Sequence, residues 1–543
     1  MMKPPSGVRG MIRFRRPWAF ATGCVAMSIG VLAHMPMYLD ARDMGYDLAG
    51  MDMSLPMYSG MALIIAGLAL AIFALLPPAH EGLAPPTRLR VKALDDAKIS
   101  KAHVGLLAVM AIAVTIDVMK PVTLGFVVPG MAVDYGLKAA SNPTGSVPVA
   151  YLPLAGITGT VIGSFLWGWF GDRLGRRASI LVAGLIFTVT SICGTMPDYR
   201  WNFVMCFIMG IGVGGMLPLT FVLMAEVIPA RHRGWLMVLV GGDIAGAYII
   251  TSWLSSVLTP TYTWRILWLL GLPTGVLLLL LNRWIPESPR YLIQQGRTEE
   301  AAVVMSHYGV TIVEDDSAEV AGDDLVDSRW GELYSRPFWG LSTVMVMFGL
   351  GVGLVTFGFQ LWIPSNLQKL GFTEVTAARI LRDSAIFGLP LTGLVAWMYG
   401  FWSSKKTMVA LGFLTAISLG ALAIVGDSVV DNRTLLYALL VVPITGISSI
   451  LAVLIAYASE TFPTNIRSRG TGLAAAASKI GGVAIIAAVV SSIATPSIRD
   501  TAIIGAIPMV LGSIAVIIFG VETRRRSLED ITAEEMQLSP APA

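Results

Sequence analysis

Asp117 and Lys120 stand close together in TIDVMKP at 115–121, inside the otherwise apolar run HVGLLAVMAIAVTIDVMKPVTLGFVVPGM. A spacing of three places both on one face of a helix, and Pro121 removes a backbone donor just beyond them, which permits a bend. Two more ionisable groups lie within apolar runs, Asp243 in WLMVLVGGDIAGAYII and Lys479 in GTGLAAAASKIGGVAII. A charge at mid-bilayer depth costs about 2.5–3.5 kcal/mol on insertion scales unless it meets water or a partner. Two lysines and two carboxylates at that depth fit a wet chamber in which Lys479, with Lys120, holds an anion while Asp117 or Asp243 takes up a proton. The same residues also fit a structural arrangement, an Asp117–Lys120 pair with an Asp243–Lys479 bridge. Gln360 and Trp362 in FGFQLWIPSNLQ offer the chamber an amide and an aromatic wall, although a tryptophan there also serves interfacial packing.

A second cluster has softer chemistry. Eight of the 27 methionines fall in residues 27–61. Among them Met35, Met37, Met51, Met53 and Met57 stand with His34 and the carboxylates of Asp40, Asp43, Asp47 and Asp52, a donor set that a soft ion such as Cu(I) would select. Methionine is equally a flexible filler where a helical hairpin packs. Cys24, Cys193 and Cys206 all lie in apolar runs and read as packing residues. With no phosphate-binding G-x-x-x-x-G-K-[ST] loop, the chain reads as no enzyme, with no resident cofactor, and its energy source as a gradient with the proton as coupling ion.

The elements that position these groups follow from composition. The chain is 55% hydrophobic and 13% charged, with a mean hydropathy of +0.71, which places it in lipid and excludes an ordinary soluble domain. A net charge of +3 excludes nucleic acid as a partner; the expected partners are the bilayer and a small-molecule substrate, with the chain a monomer. Fourteen apolar stretches between 17–39 and 501–520, including 235–258 and 379–401, are long enough to span. The first, after a basic start, reads as a retained helix and not a cleaved signal. The Lys/Arg clusters all fall on one side of such a fourteen-span chain, so both termini are expected in the cytoplasm of a bacterium, with the protein in its inner (plasma) membrane.

GWFGDRLGRR at 168–177 returns in degraded form as GFWSSKK at 400–406, and EVIPARHRG at 226–234 returns as ETFPTNIRSRG at 460–470. Six helices are therefore repeated. The expected organisation is a cytoplasmic N-terminus (1–16), an extra two-helix hairpin with a Met-rich external loop (17–77) and a cytoplasmic linker (78–102). A six-helix bundle (103–284), a cytoplasmic central loop (285–336), a second six-helix bundle (337–520) and a cytoplasmic tail (521–543) follow. Parallel repeats of this kind enclose a cavity at their interface near the bilayer midplane.

GWFGDRLGRR resembles the signature loop of the major facilitator superfamily in the order Gly168, Asp172, Arg173, Gly175, Arg176, Arg177. GIGVGGMLPLTFVLMAEVIPARHRG at 210–234 and RWIPESPRYLIQQGRTEEA at 283–301 narrow the likeness to its sugar-porter, organic-ion and aromatic-acid/proton symporter group. The resemblance implies an all-α integral membrane protein with the major facilitator fold of two six-helix bundles. It also implies a conformational charge network of Asp172, Arg173, Arg176, Arg177, Glu226, Arg231, Arg233, Arg290, Glu460, Arg467 and Arg469. In the related families a basic residue of the eleventh core helix meets an anionic substrate, and Lys479 occupies that place. The D-G-[YF]-D of the aromatic-acid symporters is here Asp117, Val118, Met119, Lys120, and the arginine that usually precedes the Gly-rich run of the fourth helix is Cys206.

The expected function is alternating-access transport of a small organic anion, coupled to protons. The alternatives are a copper or metal-chelate carrier using the hairpin, a sugar or polyol porter, and a solute sensor that does not transport.

Overall fold

Apolar runs in hydrocarbon must satisfy every backbone N–H within the segment. Among the described residues the chain does so with helices and no strand, apart from one isolated bridge between Lys138 and Pro148. The computed structural model describes residues 16–75, 94–95, 97–138, 144–145, 147–310, 330–360, 363, 367, 370–372, 374–492, 497–526, 528 and 531. Trp362 and much of the expected N-terminus, linker, central loop and tail lie outside them.

The hairpin helices are α1 (Pro17–Leu32) and α2 (Leu55–Leu75). The first half follows with α3 (Lys101–Asp134), α4 (Tyr151–Leu174), α5 (Arg176–Val189), α6 (Tyr199–Val227), α7 (Ala230–Gly241), α8 (Ile244–Tyr262), α9 (Arg265–Leu269) and α10 (Gly271–Leu281). Two short helices come next, α11 (Pro289–Gln294) and α12 (Thr298–His307). The second half comprises α13 (Trp339–Leu354), α14 (Glu374–Trp397), α15 (Ser404–Val425), α16 (Arg433–Thr461), α17 (Arg467–Ser492) and α18 (Ile498–Phe519).

By length and composition 12 segments among the described residues can cross a membrane. The other two of the fourteen expected spans differ for local reasons. The stretch 235–258 is divided into α7 and α8 at Gly241, Gly242 and Asp243, where successive glycines weaken the helix and Asp243 sits at the N-cap of α8. The stretch 379–401 is part of α14 and a π-turn at Met398–Trp402, and α14 starts at Glu374 and carries Arg379, Arg382 and Asp383 in its first turns.

Within the first half α4 packs closely on α6 because glycines face each other. A Cβ at Gly159, Gly163 or Gly210 would strike a backbone carbonyl of the partner helix, Phe207 O, Ile211 O or Gly156 O. Such approach is what small residues contribute in lipid, where apolar burial between helices brings no hydrophobic gain. Gly163→Val is expected to force the pair apart and cost about 1–3 kcal/mol. A lower midpoint of heat-induced aggregation in detergent would register it, and an unchanged midpoint would contradict the packing.

The hairpin uses the same device. Gly23 opposes the Gly67 carbonyl at 2.6 Å and Gly30 the Gly60 carbonyl at 2.6 Å, as measured from the Cβ each lacks. It is tied to the first half by the Tyr38 hydroxyl, which donates to Tyr262 O at 2.9 Å, and by Gly50 N–H, which donates to Pro197 O at 3.1 Å. Between the halves, α4 lies along α17 while α7 meets α14 and α16.

Candidate functional site

Of the mid-membrane charges, Asp117 and Lys479 come within electrostatic reach, which is neither pairing that the sequence leaves open. Asp117 on α3 is 2% exposed, and its Oδ1 has no hydrogen-bond partner. The cation that acts on it electrostatically is Lys479 of α17, across the boundary between the halves, without a direct ion pair. Lys479 is half-buried, with its ammonium 5.6 Å from the centre of the Phe357 ring. Lys120 turns away from Asp117: its Nζ packs over Gly271 at the start of α10, beside Ser191 and the Phe187 carbonyl. A spacing of three puts two side chains on one face, yet long side chains there can diverge to different neighbours. Asp243, half-buried at the α7–α8 break, accepts a hydrogen bond from the Thr115 hydroxyl of α3 and forms no bridge to Lys479.

Gln360 has a different task from the one its amide suggested. Pro443 leaves Leu439 O without its helical donor, and the Ser418 hydroxyl fills that place at 2.8 Å. Gln360 Nε2 then donates to Pro443 O at 3.1 Å and Ile444 O at 2.8 Å, tying the π-helical segment Val355–Gln360 to α16. Its N–H groups are spent on backbone.

In the hairpin, His34 is buried with Nδ1 2.8 Å from Gly30 O, Met37 and Met57 are buried, and Met35, Met51 and Met53 are half-buried against apolar neighbours. Asp40, Asp43, Asp47 and Asp52 are exposed, and no group of three or more His, Cys, Asp or Glu able to hold a metal occurs among the described residues. His34 and the five methionines pack the hairpin and its loop.

On the basic face the halves are fastened to each other. Asp172, at the end of α4, accepts the N–H groups of Ser468 at 3.1 Å and Arg469 at 3.3 Å, so that a carboxylate of one half caps the positive end of α17 in the other. Glu226 at the end of α6 takes Arg176 at 3.0 Å and Arg467 at 2.7 Å. Arg176 also donates to Thr464 O at 2.9 Å. Arg233 reaches Glu460 at 3.2 Å, and Glu460 in turn accepts from the Tyr399 hydroxyl at 2.8 Å and the Thr523 hydroxyl at 2.6 Å. Arg290 donates to Glu226 O at 2.8 Å.

Two members of the expected network stand apart from its core: Arg173 is exposed over Trp169, 4.7 Å from the ring centre, and Arg231 is exposed. Arg177 binds the Asn282 side chain at 2.8 Å.

Two carboxylates escaped the sequence reading. Glu287, in the P-E-S-P-R segment, accepts Arg176 N–H at 2.8 Å and Arg177 N–H at 3.3 Å, capping α5. Burial raises its pKa above the ordinary value while those bonds pull the other way. Asp95 binds Arg233 at 2.9 Å and Arg290 at 2.8 Å, and it lies in the linker, where no pattern marks it.

Residues 125–534 match the family described as Sugar (and other) transporter. The niacin transporter NiaP of Acinetobacter baylyi is 26% identical over 448 residues, covering 81% of this chain and 99% of the relative. The benzoate transport protein of the same organism is 22% identical over 414 residues, covering 72% and 83%. Among solved structures, the proton:xylose symporter XylE bound to 6-bromo-6-deoxy-D-glucose superposes with a TM-score of 0.67 at 18% identity, covering 80% of this chain and 100% of that one. A partially occluded inward open conformation of the xylose transporter XylE from E. coli superposes with a TM-score of 0.61 at 18% identity, covering 78% and 99%. A family match over most of the chain, together with this fold, makes the protein an integral membrane transporter of the major facilitator superfamily, a member of the Sugar (and other) transporter family.

Proposed function

We propose that the protein carries a small organic anion, of the aromatic carboxylate class, across a bacterial inner membrane together with a proton. In this reading the basic face is cytoplasmic, residues 103–284 and 337–520 are the two bundles that rock, and residues 17–77 are an accessory hairpin. The observation that carries it is that Asp117 and Lys479 lie in opposite halves within electrostatic reach of each other, a carboxylate and a cation whose attraction weakens if the halves move apart. The named cargoes of several relatives, niacin, benzoate, 4-hydroxybenzoate and gallate, all pair a carboxylate with an aromatic ring.

The charge balance defines a mechanism. In the empty site Asp117 and Lys479 neutralise each other. A substrate carboxylate arriving at the Lys479 ammonium displaces Asp117, which then stands unpaired in a medium of low dielectric and takes up a proton. The loaded site, with lysine cation, substrate anion and protonated acid, is again neutral. Both states cross without burying net charge, so one proton accompanies each monoanion and the overall transport is electroneutral. The ring of Phe357 beside the ammonium provides a surface for the aromatic part of the cargo.

Counterflow in proteoliposomes tests the reading, with nicotinate and benzoate set against xylose, a polyol and Cu(I). Saturable counterflow of the aromatic acids, with net uptake that a pH gradient drives and membrane potential does not affect, is the expected result. Exchange of the sugar or the copper ion alone would replace the reading with a sugar porter or a metal carrier. Tight binding without flux would make the protein a sensor.

A further inference from the structure

The contacts on the basic face form two sets when sorted by the half that carries them. Across the halves run Arg467 to Glu226, Arg233 to Glu460, Arg176 to Thr464 O and Asp172 to the N–H of Ser468. Within the first half and the segments packed on it run Arg176 to Glu226, Arg233 to Asp95, Arg290 to Asp95 and Arg290 to Glu226 O. If the halves separate on this face, the first set breaks and the second survives. Glu226 then keeps Arg176. Glu460 keeps the hydroxyls of Tyr399 and Thr523.

Arg233 is the critical case. Its side chain is fully buried, and its carboxylate partners are Asp95, which stays, and Glu460, which leaves. Its third contact, Arg526 O at 2.8 Å, belongs to the segment after α18 and leaves as well. Losing the carboxylate of a buried guanidinium is costly, so a retained carboxylate lowers the cost of opening the face. Asp95 is placed for this: it is 5% exposed, it shares one oxygen with each of two arginines, and its own carbonyl accepts Ala230 N–H at 3.0 Å, which anchors it to the first turn of α7, the helix that carries Arg233. It therefore moves with Arg233.

We propose that Asp95, supplied by the linker behind the extra hairpin, is the resident counterion that allows Arg233 to let go of Glu460, and so a positioning residue for opening of the basic face. This rests on the two halves separating there, as the proposed function requires, but not on the identity of the cargo or on Lys479.

Full-length protein in lipid nanodiscs, with Cys24→Ser and spin labels at Arg231→Cys on α7 and Lys406→Cys on α15, reports the separation of the halves by electron-electron distance measurement. Both label sites are exposed, and the two remaining native cysteines are buried. Glu460→Gln, which removes the carboxylate that ties Arg233 to the far half, supplies the reference distance.

Asp95→Asn is expected to shrink the long-distance population by about tenfold, because Glu460 is then the only carboxylate left to the arginine. Adding Glu460→Gln to Asp95→Asn is expected to restore it. A long-distance population that grows or stays constant in Asp95→Asn would overturn the inference, showing Asp95 to be a clamp or a bystander. If Asp95→Asn does not fold, the pair Asp95→Asn with Arg233→Met removes both charges and must open at least as readily as the native chain; a pair that stays shut overturns the inference equally. Because these readouts are distances without cargo, failure of the proposed substrate class leaves them unaffected.

Discussion

Lys479→Ala is expected to reduce carrier-mediated exchange of aromatic carboxylates by about thirtyfold or more while the protein remains folded. The lysine is half-buried on α17 within electrostatic reach of Asp117, whose Oδ1 has no hydrogen-bond partner, and in the proposed mechanism it is the cation that an arriving anion needs. Removing one partner of a desolvated charge pair costs about 2–5 kcal/mol, which is roughly thirtyfold to several thousandfold in affinity. Lys479→Arg keeps the charge but not the compact ammonium, and exchange should return in part. Asp117→Asn separates binding from coupling. It leaves the lysine free for substrate and removes the proton acceptor, so counterflow should persist while a pH gradient no longer drives accumulation. Wild-type flux in Lys479→Ala would move the binding site elsewhere in the fold.

Much of this architecture was legible in the sequence because membrane helices are constrained locally. Length and hydropathy locate them, and the family motifs around GWFGDRLGRR point to the fold they build. The departures arise where one residue type competes with the pattern. Gly241, Gly242 and Asp243 interrupt a run that hydropathy treats as continuous, and the charged first turns of α14 lower the mean of a helix that nevertheless forms.

The site was only half legible. Asp117, Asp243 and Lys479 could be singled out, since a charge in an apolar run is visible in one dimension. Their partners could not, because whether Asp117 meets Lys120 or Lys479 depends on how α3 lies against α17. The charge network on the basic face shows the same limit. Asp172, Arg176, Glu226 and Arg467 sit in spaced motifs, whereas Asp95 is one acid among the charges of a polar linker and acquires its role only from the positions of Arg233 and Arg290.

Glu226→Gln is expected to have the opposite conformational effect to the loss of Asp95. A single Glu226 oxygen holds two guanidinium groups, Arg176 at 3.0 Å from its own half and Arg467 at 2.7 Å from the other, and all three side chains are at most 1% exposed. The amide keeps the volume and removes the charge, leaving two buried cations facing each other across the boundary. Breaking a buried pair in this way costs about 3–5 kcal/mol if the structure stays closed. The protein has a cheaper response: Arg176 retains Asp172, 3.8 Å away in its own half, while Arg467 is carried off with α17 into water. The closed basic face should therefore lose its advantage by roughly a hundredfold or more, and the Arg231–Lys406 label distance should lengthen in most molecules. Exchange should slow because the carrier seldom closes on that side. Adding Arg467→Gln removes the stranded charge and should recover part of the closed population. If Glu226→Gln instead melts the protein without lengthening the distance, the two halves are held by packing along α4 and α17, and the charges on this face are not a gate.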